Sequence, residues 1–281
     1  MNHALFSENG EIERTHDSSE FRHRVCGLGR SWGSGGPDSW CGPRSLDVRG
    51  AGCRSHRPWL SCDRLGYARA RAVLADGARF VARDALDDLD ALLVECRAER
   101  AVLVGHSLGG NLVQAFAREH PDRVRGIIVI DSTWNVGPLS MVERAALRLA
   151  APALSLVPAR QLPSLMARAS AVTPEAVAWA EALFARMPKS RFLDVWKATV
   201  SFVDPDVQTR ADVLLALIRG ADDRTGNIAS AMPRWAAFEG VAEHVIPGAG
   251  HIVTWDAPEQ STRALLDILE EWTSADTDRR S

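Results

Sequence analysis

Short apolar runs alternate with amphipathic helical patterns through most of the chain after residue 84. Strands are predicted over Ala101–Val104, Gly126–Ile130, Val213–Ile218 and Ala242–Ile246. Helices are predicted over Asp84–Cys96, over Gly109–Glu119 and from Asp256 to Trp272, the last beginning with Asp256 and Glu259 as a capping box. Strands that alternate with helices are typical of a parallel sheet. The predicted fold class is therefore α/β, with a mostly parallel central sheet and helices on both faces.

The alternation stops between Asp131 and Asp212. This stretch has only helical patterns, over residues 139–157, 159–169, 173–187 and 190–202. The simplest interpretation is a helical insertion between two strands of the sheet. The predicted domains are a core formed by residues 1–131 and 213–281 and a helical cap or lid formed by residues 132–212.

The first eighty residues do not follow the pattern. Ser31–Pro43 is predicted to be a loop, and no strand is predicted before Ala101. Four of the five cysteines also lie here. Two explanations remain open: a long irregular segment, or a segment altered relative to its ancestor, for example by a reading-frame error.

The composition excludes several classes of protein. The 281 residues carry 33 basic and 36 acidic side chains, so no overall positive field attracts nucleic acid or an anionic membrane. The most apolar helical stretch, Ala145–Val157, is too short to cross a bilayer, and the first residues lack the pattern of a secretory signal. Five cysteines without a C-x-x-C pair argue against disulfides or structural zinc. We therefore expect a cytoplasmic protein that binds a small molecule and needs no metal or cofactor.

The segment Gly105-His106-Ser107-Leu108-Gly109 matches G-x-S-x-G between a predicted strand and a predicted helix. In this context the serine occupies a sharp, strained turn, and its hydroxyl projects above the sheet at the positive end of the helix. An ordinary glycine-rich turn is the alternative. We interpret Ser107 as a candidate nucleophile.

A serine nucleophile needs a base and an acid, which follow it in the order acid, then histidine. His251 follows the fourth predicted strand in a loop, where α/β sheets place reactive groups, whereas His244 lies inside that strand. His251 is therefore the candidate base. Asp222 and Asp223 follow the third strand and Asp131 follows the second, so the residues leave three candidate acids open.

Residues from about 84 to 272 resemble an α/β-hydrolase with a helical cap. The resemblance rests on GHSLGG at 105–110, HPDRVRGIIVID at 120–131, the helical insertion, GADD at 220–223 and GAGHIVTWDAPE at 248–259. In that family the acid is usually the last residue of a G-x-x-D turn. The resemblance therefore implies Ser107 as nucleophile, His251 as base and Asp223 as the acid that orients the base.

The resemblance also implies an oxyanion hole built from two backbone N–H groups. One belongs to Leu108, the residue after the nucleophile. The segment from Cys26 to Trp32 resembles the family's His-Gly loop, with cysteine in place of histidine, and implies Leu28 as the second donor.

The helical insertion is expected to cover Ser107, with Trp134 and Trp196 as candidate substrate contacts. The alternative is that these aromatic side chains hold the insertion to the sheet. The predicted function is hydrolysis of a carboxylic ester or lactone of a small, mainly apolar substrate through an acyl-enzyme. Two alternatives are a cofactor-free haloperoxidase (perhydrolase) or carbon–carbon bond hydrolase with the same triad, and a catalytically impaired binding protein.

Overall fold

The structure is a computed structural model of the chain. It describes the backbone of four strands at residues 2–6, 12–16, 24–28 and 61–64, and then residues 80–96, 98–206 and 209–278. The predicted loop Ser31–Pro43 lies outside the described residues.

The described strands are β1 (Asn2–Phe6), β2 (Ile12–His16), β3 (Arg24–Leu28), β4 (Ser61–Arg64), β5 (Ala101–His106), β6 (Val124–Ile130), β7 (Leu214–Gly220) and β8 (Glu243–Ile246). Six of them form a parallel central sheet in the order β4-β3-β5-β6-β7-β8. A separate antiparallel pair, β1 and β2, precedes this sheet in the chain. The predicted parallel sheet is therefore confirmed.

Helices follow the strands and also fill the interval between β6 and β7. Four helices occupy that interval, close to the four that the sequence predicts. A short 3₁₀ turn at Pro121–Arg123 leads into β6. The α-helices are α1 (Ala82–Glu95), α2 (Leu108–Glu119), α3 (Met141–Leu156), α4 (Leu162–Ser170), α5 (Pro174–Ala185), α6 (Lys189–Ser201), α7 (Ile228–Glu239), α8 (Val253–Asp256) and α9 (Pro258–Asp278).

The sheet has an apolar core on each face. Successive residues of β5 point to opposite faces: Leu103 belongs to one buried cluster and Val102 to the other. The first cluster includes apolar side chains of α1, α2 and α7, and the second includes side chains of α9. Burial on both faces explains why the central strands are continuous apolar runs.

The expectation that no strand precedes Ala101 is wrong. β3 pairs in parallel with β5, with Leu28 opposite Gly105. The strand has only five residues and begins with Arg24 after a polar stretch, so it lacks the apolar run that marks β5 and β6. The sequence does not predict α7 either, because Pro233 lies inside this helix and interrupts the helical pattern.

The predicted capping box of Asp256 and Glu259 is also wrong. Asp256 is the last residue of α8, and α9 begins separately at Pro258. The Asp256 carboxylate accepts hydrogen bonds from Gly250, Val172 and Thr173 instead. The carboxylate therefore contacts two loops and not the helix that follows it.

Trp134 lies in the core beside the carboxyl end of β6. Its ring stacks on Trp235 of α7 with centroids 6.0 Å apart, contacts Phe238 at 5.2 Å, and is only 4% exposed. So little surface is accessible that a substrate has almost none to contact. We therefore interpret Trp134 as a packing residue and correct the expectation that it contacts the substrate.

Within the part of the chain that the structure describes, no helix combines the length and apolar character that crossing a membrane would require.

We predict that Trp134→Ala lowers the free energy of unfolding by about 3–5 kcal/mol, because it leaves a large cavity between α7 and the sheet. Trp134→Phe keeps most of the buried ring and should cost clearly less. Urea denaturation followed by circular dichroism measures both. Equal stability of the alanine variant and the wild type would contradict the packing role.

Candidate active site

Ser107 occupies a strained turn between β5 and α2. Its backbone has φ 55° and ψ −121°, a combination of angles that residues other than glycine rarely adopt. A Cβ atom on Gly105 would overlap the carbonyl group of Gly109, so the turn requires glycine before the serine. The N–H group of Ser107 donates to the Ile130 carbonyl at 3.0 Å and ties the turn to β6. This is the geometry that G-x-S-x-G predicts.

His251 lies in the loop after β8 and connects Ser107 with Asp223. Its Nε2 atom is 2.9 Å from Ser107 Oγ, and its Nδ1 atom is 3.1 Å from Asp223 Oδ2. Because a carboxylate only accepts hydrogen bonds, Nδ1 carries the proton and Nε2 accepts from the serine hydroxyl. His251 is 6% exposed and Asp223 is 3% exposed. The structure thus brings together three residues that the sequence predicts as one site.

The turn after β7 places the adjacent carboxylates of Asp222 and Asp223 in different surroundings. Asp223 is buried and its Oδ1 accepts from the Thr225 N–H group at 2.7 Å, whereas Asp222 is exposed. Burial opposes ionisation of Asp223, but the electrostatic attraction of His251 and the hydrogen bonds from His251 and Thr225 outweigh it and lower the pKa of Asp223. Asp223, and not Asp222, is therefore the carboxylate that bonds to the imidazole of His251.

Asp131, the third candidate acid, is fully buried beside Asp223. Its Oδ1 accepts from the Gly220 N–H group at 2.8 Å, and its backbone has a positive φ of 42°. Burial and the negative charge of Asp223 raise the pKa of Asp131 well above its usual range. The pKa of Asp131 is thus raised while that of Asp223 is lowered, and His251 bonds to the carboxyl group that ionises more readily.

Two predicted oxyanion donors lie near Ser107 in the fold. Leu108 is the first residue of α2, and the first N–H groups of a helix have no partner within it. Leu28 is the last residue of β3 and is paired with Gly105, two residues before Ser107. Both backbone positions are therefore at the carboxyl end of the sheet, where Ser107 lies.

Trp196 lies on α6 and is half-buried. Its indole Nε1 atom is enclosed and has no hydrogen-bond acceptor among the residues that the structure describes. Whether it contacts a substrate remains a prediction.

Two residues that bond to the backbone around His251 are not predicted from the sequence as part of the site. His106, inside the G-x-S-x-G segment, donates from its Nε2 atom to the His251 carbonyl at 2.6 Å. Asp256 accepts from the Gly250 N–H group at 2.8 Å. The available signal was their place in the two motifs that also carry Ser107 and His251, but the contact between the motifs is non-local.

Comparisons with known proteins identify one family for this chain, and the similar proteins described below are enzymes of three different kinds. Residues 16–264 match the sequence profile of the alpha/beta hydrolase family. A 2-hydroxy-6-oxo-6-phenylhexa-2,4-dienoate hydrolase of Burkholderia cepacia is 27% identical over 219 residues, which cover 74% of this chain and 75% of that protein. A thermophilic esterase from Thermogutta terrifontis matches with a TM-score of 0.55 and 22% identity, over 69% of this chain and 74% of the esterase. A bromoperoxidase from Bacillus anthracis matches with a TM-score of 0.58 and 15% identity, over 89% and 92% of the two chains.

We predict that Asp131→Asn removes a pH-dependent loss of stability. The raised pKa of Asp131 means that the folded chain keeps this proton, while the unfolded chain releases it above about pH 4. Stability contributed by the bound proton is complete below that pH and is lost as the pH rises toward the pKa of the folded state. The free energy of unfolding of the wild type should therefore fall relative to Asp131→Asn between about pH 4 and neutral pH. Urea denaturation over this range tests it, and a difference independent of pH would contradict it.

Proposed function

Because the chain belongs to the α/β-hydrolase family, we propose that it is a serine hydrolase acting on a carboxylic ester or lactone of a small, mainly apolar substrate. The observation that carries the proposal is the continuous hydrogen-bond chain from Ser107 through His251 to Asp223. The three side chains have the contacts that a nucleophile, a general base and an orienting acid require.

In the proposed reaction, His251 takes the proton of the Ser107 hydroxyl while the oxygen attacks the ester carbonyl carbon. The tetrahedral intermediate collapses, and His251 gives its proton to the departing alkoxide, leaving an acyl group on Ser107. Water then attacks the acyl carbon, loses a proton to His251, and releases the carboxylic acid as the proton returns to Ser107. Asp223 stabilises the imidazolium that forms in both steps.

Backbone N–H groups of Leu108 and Leu28 are proposed to bind the oxyanion. The positive end of α2 supports the role of Leu108, because negative charge is stabilised there. The pairing of Leu28 with Gly105 supports the role of the second donor.

The four helices between β6 and β7 are proposed to form a cap over Ser107. Support comes from their contacts with the loop of His251, where Ser170 accepts from the Ile252 N–H group at 2.8 Å. Trp196 of α6 is the proposed apolar contact for the substrate, because it lies in the helical segment and its aromatic ring is only half-buried.

Hydrolysis of a carbon–carbon bond next to a ketone is the second candidate function. It is favoured by the 27% identity to the phenylhexadienoate hydrolase of Burkholderia cepacia, which covers about three quarters of both chains. The same three residues serve either reaction, and so the substrate decides between them. Rates measured with p-nitrophenyl esters and with a 2-hydroxy-6-oxo-dienoate separate the two, because a carbon–carbon hydrolase should turn over the dienoate faster. Faster attack of the acyl-enzyme by hydrogen peroxide than by water would indicate a perhydrolase.

We predict that Ser107→Ala lowers p-nitrophenyl ester hydrolysis by a factor on the order of 10⁴–10⁶, because it removes the attacking oxygen. A fluorophosphonate probe should label the wild type and fail to label the variant. Hydrolysis by Ser107→Ala at the wild-type rate would refute the proposal. Wild-type protein that the probe does not label would favour a binding protein without catalysis.

We predict opposite outcomes for the adjacent pair Asp223→Asn and Asp222→Asn. The Asp223→Asn change removes the negative charge that orients His251, and we expect kcat to fall by about 10⁴-fold, as for other triads with this change. Asp222 is exposed, and its substitution should leave kcat within about twofold of the wild type. Steady-state kinetics on the same ester measures both. The reverse order would assign the acid to Asp222.

A further inference from the structure

The carboxylate of Asp256 connects the loop of His251 to the helical segment between β6 and β7. Its Oδ2 atom accepts from the Gly250 N–H group at 2.8 Å. Its Oδ1 atom accepts from the N–H group and the hydroxyl of Thr173, both at 2.8 Å. The Val172 N–H group is shared between both oxygens, at 3.1 and 3.0 Å. One side chain thus bonds to the residue before the proposed base and to the start of α5.

Thr173 is the residue that caps α5. Its hydroxyl oxygen accepts from the Ala176 N–H group at 3.3 Å while the hydroxyl proton is donated to Asp256. The negative charge of Asp256 lies at the positive end of α5, where the helix dipole favours it. The position of α5 therefore depends on Asp256 through both hydrogen bonds and charge.

Three consecutive backbone groups around His251 are each held by a different part of the protein. Gly250 donates to Asp256, and the His251 carbonyl accepts from His106. Ile252 donates to Ser170 at the end of α4. The bond from Ile252 leads directly to the helical segment, and the bond from Gly250 leads to it through Asp256. The bond from His106 leads to the sheet, because His106 is the last residue of β5.

A stacked aromatic pair strengthens the same connection. Trp255, next to Asp256, lies against Trp179 of α5 with ring centroids 3.5 Å apart and an angle of 20° between the planes. Stacked aromatic pairs stabilise by about 0.5–1.5 kcal/mol beyond the area that they bury. The hydrogen bonds set the register between loop and helix, and the stack keeps the two surfaces together.

We propose that Asp256 is a positioning residue. By bonding both to the loop of His251 and to the helical segment between β6 and β7, it holds His251 within reach of Ser107. This inference rests on the proposed function, because it assigns His251 as the base. A displaced helical segment would release Ile252 from Ser170 and would take the Val172 and Thr173 donors away from Asp256. The loop would then be held to the sheet by the bond from His106 and by the bond from the Asp222 N–H group to the Ala249 carbonyl, with Asp256 no longer anchored to α5. The base would then lose its fixed distance to Ser107 even though Ser107 and Asp223 stay in place.

The decisive variant is Asp256→Asn, which keeps the shape but replaces one accepting oxygen by an NH₂ group that cannot accept from Gly250 or Thr173. We expect the rate constant of fluorophosphonate labelling, per folded molecule, and kcat for ester hydrolysis to fall at least tenfold, with a smaller change in KM. Glu259→Gln, at an exposed position of α9, makes the same change of charge and should match the wild type. An unchanged labelling rate and kcat in Asp256→Asn would overturn the positioning role.

Hydrogen exchange tests the connection without any activity. The amides of Gly250, Ile252, Val172 and Thr173 are the donors in the bonds described, so Asp256→Asn should raise exchange in residues 250–252 and 172–173 together. A rise in only one of the two segments would overturn the connection. Failure of the wild type to react with the probe would refute the proposed function, while the exchange result would still decide whether the two segments are linked.

Thr173→Ala provides a second variant in case Asp256→Asn does not fold. It removes one donor on the helical side and leaves the bond between Asp256 and Gly250 intact. If the helical segment fixes His251, exchange should rise at residues 250–252 and labelling should slow several-fold. Unchanged exchange at residues 250–252 would show that the loop of His251 is held independently of the helical segment, and would overturn the proposal.

Discussion

Parallel pairing of β5, β6, β7 and β8 is the constraint on which the candidate site depends. Between each pair of neighbouring strands, the backbone hydrogen bonds continue past the end of the strand. The N–H groups of Ser107, Asp131 and Ala221 donate to the carbonyl groups of Ile130, Ile218 and Ile246, respectively. The residues that follow the strands are therefore fixed to the neighbouring strand before any side chain makes a contact. Such a scaffold holds Ser107, Asp223 and His251 in range of one another with little freedom, which is the condition for effective general-base catalysis.

The same pairing creates an electrostatic problem that the fold has to solve. Asp131 and Asp223 follow adjacent strands and lie beside each other in a buried site. Two carboxylates that close cannot both ionise at low cost, so one keeps its proton. His251 and Thr225 donate hydrogen bonds to Asp223, whereas Asp131 accepts only from Gly220 among the described residues. The attraction of His251, together with these hydrogen bonds, thus favours ionisation of Asp223, while burial and the charge of Asp223 raise the pKa of Asp131.

Local patterns predicted the strands from Ala101 onward and indicated Ser107 and His251 as candidates, whereas Asp223 was chosen among three carboxyl groups only through the resemblance to α/β-hydrolases. Ser107 directly follows β5, a buried apolar strand, and such strands have a strong sequence signal. β3 was missed because a five-residue strand with a polar start has almost no such signal. The roles of Trp134 and Asp256 depend on contacts with α7 and with the start of α5, which lie far away in the sequence. A cap pattern at Asp256 predicted a local bond, but bonds to Gly250, Val172 and Thr173 were formed instead.

The two proposed oxyanion donors differ in how the chain provides them. The N–H group of Leu108 comes with the turn that carries Ser107, because α2 begins there. The N–H group of Leu28 reaches the site only if β3 pairs correctly with β5. Loss of one such donor typically lowers turnover by about 10²–10³-fold while leaving the nucleophile and base intact. If Leu28 is the second donor as proposed, the rate of a chain with a well-formed Ser107–His251–Asp223 arrangement also depends on the pairing of β3 with β5.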